Sequence, residues 1–155
     1  SGLKPGTGLQ KLYPYVRNVL DPIRKRMGDA AFNIALADGE SGSIEVQELE
    51  SIRGRSFDER SFLLLEESQQ STPEEMLAVI TRVSDDCKII CSGDLNQRDG
   101  QGESGLKWLL DFVRRHNIPG VGIVNFDSPE DIVRGGLVKN IAIGLMKEGQ
   151  LRNNK

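Results

Sequence analysis

The chain has 155 residues, enough for one domain with a buried core, and its composition is that of an ordinary globular protein. Its formal net charge of −3 argues against a broad nucleic-acid footprint, because non-specific binding depends on many Lys and Arg contacts to phosphate. A local basic groove remains compatible with that charge. No apolar run approaches the roughly 20 residues that span a bilayer, so no membrane partner is expected. A cytoplasmic protein is expected from its two cysteines, which are interpreted as reduced thiols.

In chain order, the first predicted element is a helix. Apolar residues recur at helical spacing over Leu9–Met27, and Pro14 and Pro22 predict either two short helices or one kinked helix. Gly28 is the expected stop. Further on, the alternating pattern of Ile44–Leu49 indicates a half-exposed strand.

The middle of the chain predicts a strand–helix–strand–helix order. Two continuous apolar runs, Phe62–Leu65 and Lys88–Cys91, are typical of strands buried on both faces of a parallel sheet. Between them, Ser71–Glu75 predicts a helix start, with a hydroxyl cap, a proline and acids in the first turn, and this helix is expected to reach about Val83. The amphipathic segment Gly105–His116 predicts the next helix.

The last part of the chain repeats this order. Val121–Phe126 predicts another strand, and Ser128–Asp131 repeats the capping pattern ahead of a helix that reaches about Met146. Strands that alternate with capped helices predict an α/β fold with a parallel sheet. In such sheets, ligands bind beyond the carboxyl ends of the strands.

The two cysteines, Cys87 and Cys91, are predicted to be reduced thiols. Four residues apart in or beside one strand, their Cα atoms would lie roughly 13 Å from each other, too far for a disulfide. The sequence has a single histidine and no other cysteine, so a zinc site is not expected.

Acidic and amide side chains follow the two predicted buried strands. Glu66 and Glu67 come after the first strand, and Gly93, Asp94 and Gln97 come after the second. Adjacent carboxylates repel each other unless a cation is near. With Mg²⁺ and a nucleotide, one carboxylate holds the metal or its water and the other orients and deprotonates the attacking water. Each segment alone also fits a solvated turn, and their combination favours the site.

Three segments in this order, FLLLEESQQSTPEEMLAVITRV, KIICSGDLNQRD and DIVRGGLVKNI, resemble the PhoH-like ATPases. These are bacterial and phage P-loop proteins related to superfamily-1 helicases. The upstream PYVRNVLDPI and IRGRSF stretches are similar as well, so the resemblance runs from about Gly6 to Gly149. It implies a RecA-like P-loop NTPase fold, a three-layer sandwich around a mostly parallel sheet. It further implies ATP as ligand, Mg²⁺ as cofactor, coupling to RNA or DNA, and assembly into a homo-oligomeric ring.

The resemblance also carries over residue roles. Glu66 falls on the metal-associated acidic position and Glu67 on the catalytic base. Gly93, Asp94 and Gln97 match the γ-phosphate-sensing pattern V-x-G-D-x-x-Q-x-D.

Five further residues match the family with less defined roles. Gln69 falls on the family glutamine and is expected to bind nucleotide. Arg82 and Arg134 match two family arginines, which would stabilise the transferring phosphoryl group in their own subunit or as a finger into a neighbour. A helix-surface salt bridge fits either arginine equally well. Arg53 and Arg55 would contact nucleic-acid phosphates or a neighbouring subunit, or lie in a solvated loop.

The chain departs from the family in several places. Glu66 replaces an aspartate, Ser68–Gln70 replaces Ala-Gln-Asn, Asp99–Gln101 replaces Asp-Leu-Pro, and Gly135 replaces a histidine. No G-x-x-x-x-G-K-[ST] loop occurs in the sequence. The nearest segment, Gly6–Lys11, has the wrong spacing, no hydroxyl residue after the lysine and no strand before it.

The sequence therefore predicts a single domain over residues 1–155, the C-terminal part of such an ATPase, incomplete at its N-terminus. Residues 1–8 are expected to form a linker and residues 149–155 a tail. Little or no ATP turnover is expected of the isolated chain. The alternative is a non-catalytic nucleic-acid- or protein-binding module that retains the fold.

Overall fold

A computed structural model describes residues 8–36, 42–52, 56–57 and 60–153. These residues form five α-helices, four short 3₁₀ turns and two strands. The chain divides into two compact units, Ser1–Asn117 and Ile118–Lys155. In the described part of the chain, no helix is both long and apolar enough to cross a membrane.

The first helix, α1, runs from Gly8 to Met27 and contains both Pro14 and Pro22. Of the two predicted forms, the structure therefore shows one helix rather than two. Each proline removes a single backbone donor, and the flanking turns supply enough hydrogen bonds to continue the helix. Gly28 ends α1 as predicted, with a φ of 86° that a residue with a Cβ rarely adopts. The short helix α2 (Asp29–Ala35) then packs back on α1.

Strands β1 (Phe62–Leu65) and β2 (Lys88–Cys91) have the predicted bounds and pair in parallel, in register from one end to the other. The helix between them, α3 (Pro73–Ile80), begins with a capping box. Thr72 Oγ1 accepts from the N–H of Glu75 at 3.2 Å, and a carboxylate oxygen of Glu75 accepts from the N–H of Thr72 at 2.8 Å. The helix ends at Ile80, before the predicted Val83.

Only alternate residues of the sheet are covered. Phe62, Leu64 and Ile90 are 61%, 38% and 48% exposed, whereas their neighbours along each strand are half-buried. The prediction of strands buried on both faces is therefore wrong for the described residues. Successive side chains in a strand point to opposite faces, and here packing covers one face alone.

Two other predicted strands do not form. Residues 44–48 make no ladder, and Leu49–Ile52 forms a 3₁₀ turn. Val121–Phe126 is also without strand structure, and Phe126 is 79% exposed. An alternating pattern indicates an extended segment, but a strand also needs a partner that satisfies its backbone donors and acceptors.

Helices α3 and α4 (Gly105–His116) pack on each other and supply half of the buried apolar residues of the first unit's described core. The N-terminus of α4 abuts the start of α3, where the Gly105 N–H donates to the carbonyl of Ser71 at 2.7 Å. A Cβ at Gly105 would overlap Ser71 Oγ. The buried apolar side chains of these two helices are Met76, Val79, Leu106 and Val113.

The second unit contains a 3₁₀ turn at Pro129–Asp131 and helix α5 (Gly136–Asn153). Ser128 caps the turn as the sequence predicts, and its N–H donates to Asp131 Oδ2 at 3.0 Å. The turn does not continue into the helix. Helix α5 begins at Gly136 and extends past the predicted end at Met146.

Candidate functional site

The loops that follow β1 and β2 leave the sheet at the same edge because the strands are parallel. Their backbones stay paired beyond the strands. The Ser92 N–H donates to the carbonyl of Leu65 at 2.9 Å, and the Ser92 carbonyl accepts from the N–H and the hydroxyl of Ser68 at 2.9 and 2.7 Å. This pairing brings the two polar segments identified in the sequence side by side.

Glu66 is half-buried at the end of β1. Its Oε1 accepts a hydrogen bond from Ser92 Oγ at 2.9 Å, which fixes the direction of the carboxylate. Sequence reasoning missed Ser92. The only available signal was a hydroxyl residue directly before Gly93.

Glu67 adopts a left-handed backbone conformation, with φ 51° and ψ 35°. For a residue with a Cβ this costs about 1–2 kcal/mol. Its carboxylate Oε2 accepts from Gln69 Nε2 at 2.6 Å. Backbone strain of this kind persists only where the surrounding structure fixes it, and it is common at functional sites.

Gln69 connects the two loops through its side chain. It is 0% exposed, its Nε2 donates to Glu67, and its Oε1 accepts from the N–H of Asp94 at 3.2 Å. A Cβ at Gly93 would overlap Gln69 Oε1 and would lie 3.0 Å from Leu106 Cδ2. Glycine at this position therefore permits the close approach of the second loop to Gln69.

The segment after β2 forms a 3₁₀ turn over Leu95–Gln97, capped by Asp94. Asp94 Oδ1 accepts from the N–H of Asn96 at 2.9 Å, and Asp94 Oδ2 accepts from Gln97 Nε2 at 2.7 Å. Asp94 and Gln97 are both exposed, so a bound molecule has access to them.

Arg98 is a second residue that sequence reasoning missed. Its Nη1 donates to the carbonyls of Gln69 at 2.5 Å and Ser71 at 3.0 Å, in the loop after β1. Its Nε and Nη2 donate to the carbonyls of Gly102 at 3.2 Å and Gln101 at 3.3 Å, in its own loop. An arginine in a polar loop gives no sequence signal of this role, which depends on how closely the loops approach.

Gln70 joins the same loops from the other side. Its Nε2 donates to the carbonyl of Gln97 at 2.7 Å and to Asp99 Oδ2 at 3.2 Å. Its Oε1 accepts from the N–H of Asp99 at 3.1 Å. The two positions flanking Arg98 are thus held by one amide side chain.

The structure brings the carboxylates and the sensor segment together but places Arg82 elsewhere. Helix α3 leads from the carboxyl edge of the sheet back to the amino edge, and the Arg82 carbonyl accepts from the N–H of Phe57 at 2.9 Å. Arg82 Nη1 donates to the carbonyl of Ala78 at 2.9 Å, and its Nε is buried without a hydrogen-bond partner in the described part of the chain.

Three predicted residues remain, Arg134, Arg53 and Arg55. Arg134 is exposed in the second unit, between the 3₁₀ turn and α5. Arg53 and Arg55 lie outside the described residues.

The carboxylates at this edge of the sheet suit a metal ion that binds together with a nucleotide. The described residues contain no group of three or more His, Cys, Asp and Glu side chains that could hold an ion alone. Mg²⁺ at a nucleotide site takes most of its ligands from phosphate oxygens and water, with one or two protein carboxylates. Glu66, oriented by Ser92, meets that requirement.

A parallel βαβ unit with acidic and amide side chains at its carboxyl edge is typical of α/β proteins that bind a ligand at the strand ends. The chain belongs to the PhoH-like protein family, whose model matches residues 1–144. This confirms the resemblance seen in the sequence, and the family suggests a P-loop NTPase.

Individual relatives agree with this family. The chain is 34% identical to Protein PhoH of Escherichia coli over 138 residues, which cover 88% of the chain and 38% of the relative. It is 32% identical over 142 residues to PhoH-like proteins of Mycobacterium leprae and Bacillus subtilis, covering 90% of the chain and 39% and 42% of the relatives. The chain thus spans about two fifths of the length of these curated relatives. No solved structure matches it significantly.

Proposed function

We propose that the chain supplies the carboxylates and the γ-phosphate-sensing amide of a Mg²⁺-dependent, ATP-hydrolysing PhoH-like NTPase. The observation that carries this proposal is the buried Gln69 amide, which bonds Glu67 on one side and, on the other, the backbone of the loop after β2 (residues 92–103, here called the sensor loop). Because Gln69 bonds both of them, the proposed base and the sensor loop are held in a fixed position relative to each other. Such pre-organisation is what phosphoryl transfer requires of a protein.

Each side chain has a distinct part in the proposed reaction. Glu67 orients the attacking water and takes its proton, and Gln69 fixes the direction of the Glu67 carboxylate. Gln97 exchanges its hydrogen bond with Asp94 for one to a γ-phosphate oxygen. Glu66 would hold Mg²⁺ or one of its waters, and the bound metal would supply neutralisation of the phosphate charge.

The arginines are proposed to act beyond this cluster. Because Arg82 lies toward the amino edge of the sheet, a role as a finger into a neighbouring subunit fits it better than a role at its own site. Arg134 is a second candidate for such a contact, and Arg53 and Arg55 are candidates for nucleic-acid phosphates. Coupling to RNA or DNA, and assembly into a ring, belong to the same proposal.

The phosphate-binding loop G-x-x-x-x-G-K-[ST] does not occur in the 155 residues. We therefore expect weak nucleotide binding and little ATP turnover by this chain alone. A robust ATPase rate that is lost in Glu67→Gln would contradict the predicted inactivity. It would also show that the carboxylate cluster works without the usual loop.

Thermal unfolding with millimolar Mg²⁺–ATP tests the nucleotide site. A ligand that binds only the folded state raises its stability, by about 1.4 kcal/mol at ten times the Kd, which shifts Tm by a few degrees in a domain of this size. We expect this shift in the wild type and not in Glu66→Ala.

The matched control is Asp86→Ala, an exposed acid two residues before β2 at the other edge of the sheet, which should keep the shift. A chain that is stabilised by an oligonucleotide and not by Mg²⁺–ATP would contradict the proposal and favour the binding module.

A further inference from the structure

The sensor loop is held against the loop that follows β1 (residues 66–72, here called the base loop) by side chains to which the family pattern assigns no role. Arg98 occupies a position that the sensing pattern leaves variable, and Gln70 stands where the family has asparagine. The extra methylene of Gln70 extends the reach of its amide, which bonds the carbonyl of Gln97 and the backbone of Asp99. A residue at a variable position and a departure from the family therefore meet in one set of contacts.

The guanidinium of Arg98 bridges the two loops through several of its nitrogens. Four carbonyls accept from it, two in the base loop and two in the sensor loop. Three different nitrogens of one planar group donate, so the side chain fixes the distance and the angle between the loops. A lysine has one nitrogen and cannot reach both sets of carbonyls at once.

Both Gln70 and Arg98 restrain the chain at Gln97. The carbonyl of Gln97 accepts from Gln70, and the next residue, Arg98, donates to the carbonyl of Gln69 at 2.5 Å. The backbone of the sensing residue is therefore restrained at its carbonyl and at the residue that follows, while its side chain remains exposed.

We propose that Arg98 and Gln70 are positioning residues that hold Gln97 at a fixed distance from Glu67 before nucleotide binds. The proposal rests on the proposed function for the role of Gln97. The clamp itself is defined as the contacts of Arg98 and Gln70 with the two loops, all of which are made within the protein. Base and sensor would then act as one pre-assembled body, which reduces the ordering that nucleotide binding has to drive.

Hydrogen exchange of the nucleotide-free chain tests the clamp directly. In Arg98→Lys, the amides of residues 93–103 should exchange about tenfold faster or more, because charge-assisted hydrogen bonds are lost. The amides of α3 and α4 should be unchanged. Arg115→Lys, on an exposed residue of α4, is the control and should match the wild type throughout. Unchanged exchange in 93–103, or an equal increase across the chain, would overturn the proposal.

Gln70→Ala provides a second variant, in which the charged side chain of Arg98 is kept. It should raise the exchange rate of the Asp99 amide, which donates to Gln70 Oε1. An Asp99 amide that exchanges as in the wild type would count against this half of the clamp.

A double-mutant cycle tests whether Arg98 acts through Gln97. Apparent Mg²⁺–ATP affinity should fall in Arg98→Lys and in Gln97→Ala, and the double variant should fall no further than Gln97→Ala. Additive losses would mean that Arg98 supports the fold alone, and would overturn the positioning role. If residues 93–103 exchange faster in Arg98→Lys but the wild type binds no nucleotide, the clamp is supported and the proposed function is contradicted. If the wild type binds nucleotide but exchange in Arg98→Lys is unchanged, the clamp is contradicted and the proposed function is not.

Discussion

At the scale of single residues, the conformation of Glu67 opposes stability. Its φ of 51° is one of two positive values among the described non-glycine residues, the other being Asn117 at the end of α4. Asparagine tolerates this conformation at a helix end, whereas glutamate has no comparable local advantage. The strain at Glu67 is therefore consistent with selection for where its carboxylate points.

Replacing Glu67 with glycine should relieve this strain. We expect Glu67→Gly to be more stable than Glu67→Ala by up to about 1 kcal/mol in urea unfolding, because glycine adopts the left-handed conformation freely. Asn117→Gly and Asn117→Ala form the matched pair at the other positive φ. A Glu67→Gly variant that is less stable than Glu67→Ala would show that the backbone there is unstrained.

Gly93 should tolerate no side chain. The Cβ in Gly93→Ala would overlap Gln69 Oε1, so we expect a loss of about 1–3 kcal/mol in the free energy of unfolding. Gly100→Ala is the control, since a Cβ there would meet Arg98 Nη2 at an ordinary 3.5 Å. Equal stability of the two variants in urea titrations would contradict the packing described for Gln69.

At the scale of elements, the sequence predicted β1, β2 and α4 at their observed bounds, and the start of α3. Each of these has a local signal, such as an apolar run or a capping pattern, and each finds a partner nearby in the fold. The strands expected at Ile44–Leu49 and Val121–Phe126 have the same local signal but no ladder. Strand formation depends on a distant partner that periodicity does not reveal.

At the site, too, local sequence patterns do not reveal contacts between distant segments. The strand ends and the family resemblance predicted Glu66, Glu67 and Gln97, which the structure brings to one edge of the sheet. Ser92, Gln70 and Arg98 were missed because their roles arise when two loops about 26 to 29 positions apart come into contact. Nothing in the immediate sequence around these residues encodes that approach.

The packed side of β2 should make stability depend on pH. Burial raises the pKa of the Cys91 thiol, so the folded state favours its protonated form. This contribution is complete below the ordinary thiol pKa and is lost as pH rises through the raised value. The stability advantage of the wild type over Cys91→Ala should therefore shrink between about pH 8 and pH 10. An advantage that is constant over this range in urea titrations would show that the thiol does not titrate differently in the folded state.

At the scale of the whole molecule, the described residues form a two-stranded parallel sheet with helices, and a second unit that is compact by itself. The predicted single domain and three-layer RecA-like sandwich stay predictions. The chain covers about two fifths of its relatives, and the described sheet exposes Phe62, Leu64 and Ile90 on one face. The number of strands in a sheet is a long-range property, which local patterns predict poorly.

We propose that the carboxyl edge of this sheet binds a nucleoside triphosphate and reads its γ-phosphate through Gln97. A calorimetric titration of the chain with Mg²⁺–ATP and, separately, with Mg²⁺–ADP tests this. We expect about tenfold tighter binding of ATP, since a hydrogen bond to a charged group contributes about 1.5–3 kcal/mol. This preference should disappear in Gln97→Ala and persist in Asn96→Ala. Equal affinity for ATP and ADP in the wild type would mean that Gln97 does not read the γ-phosphate.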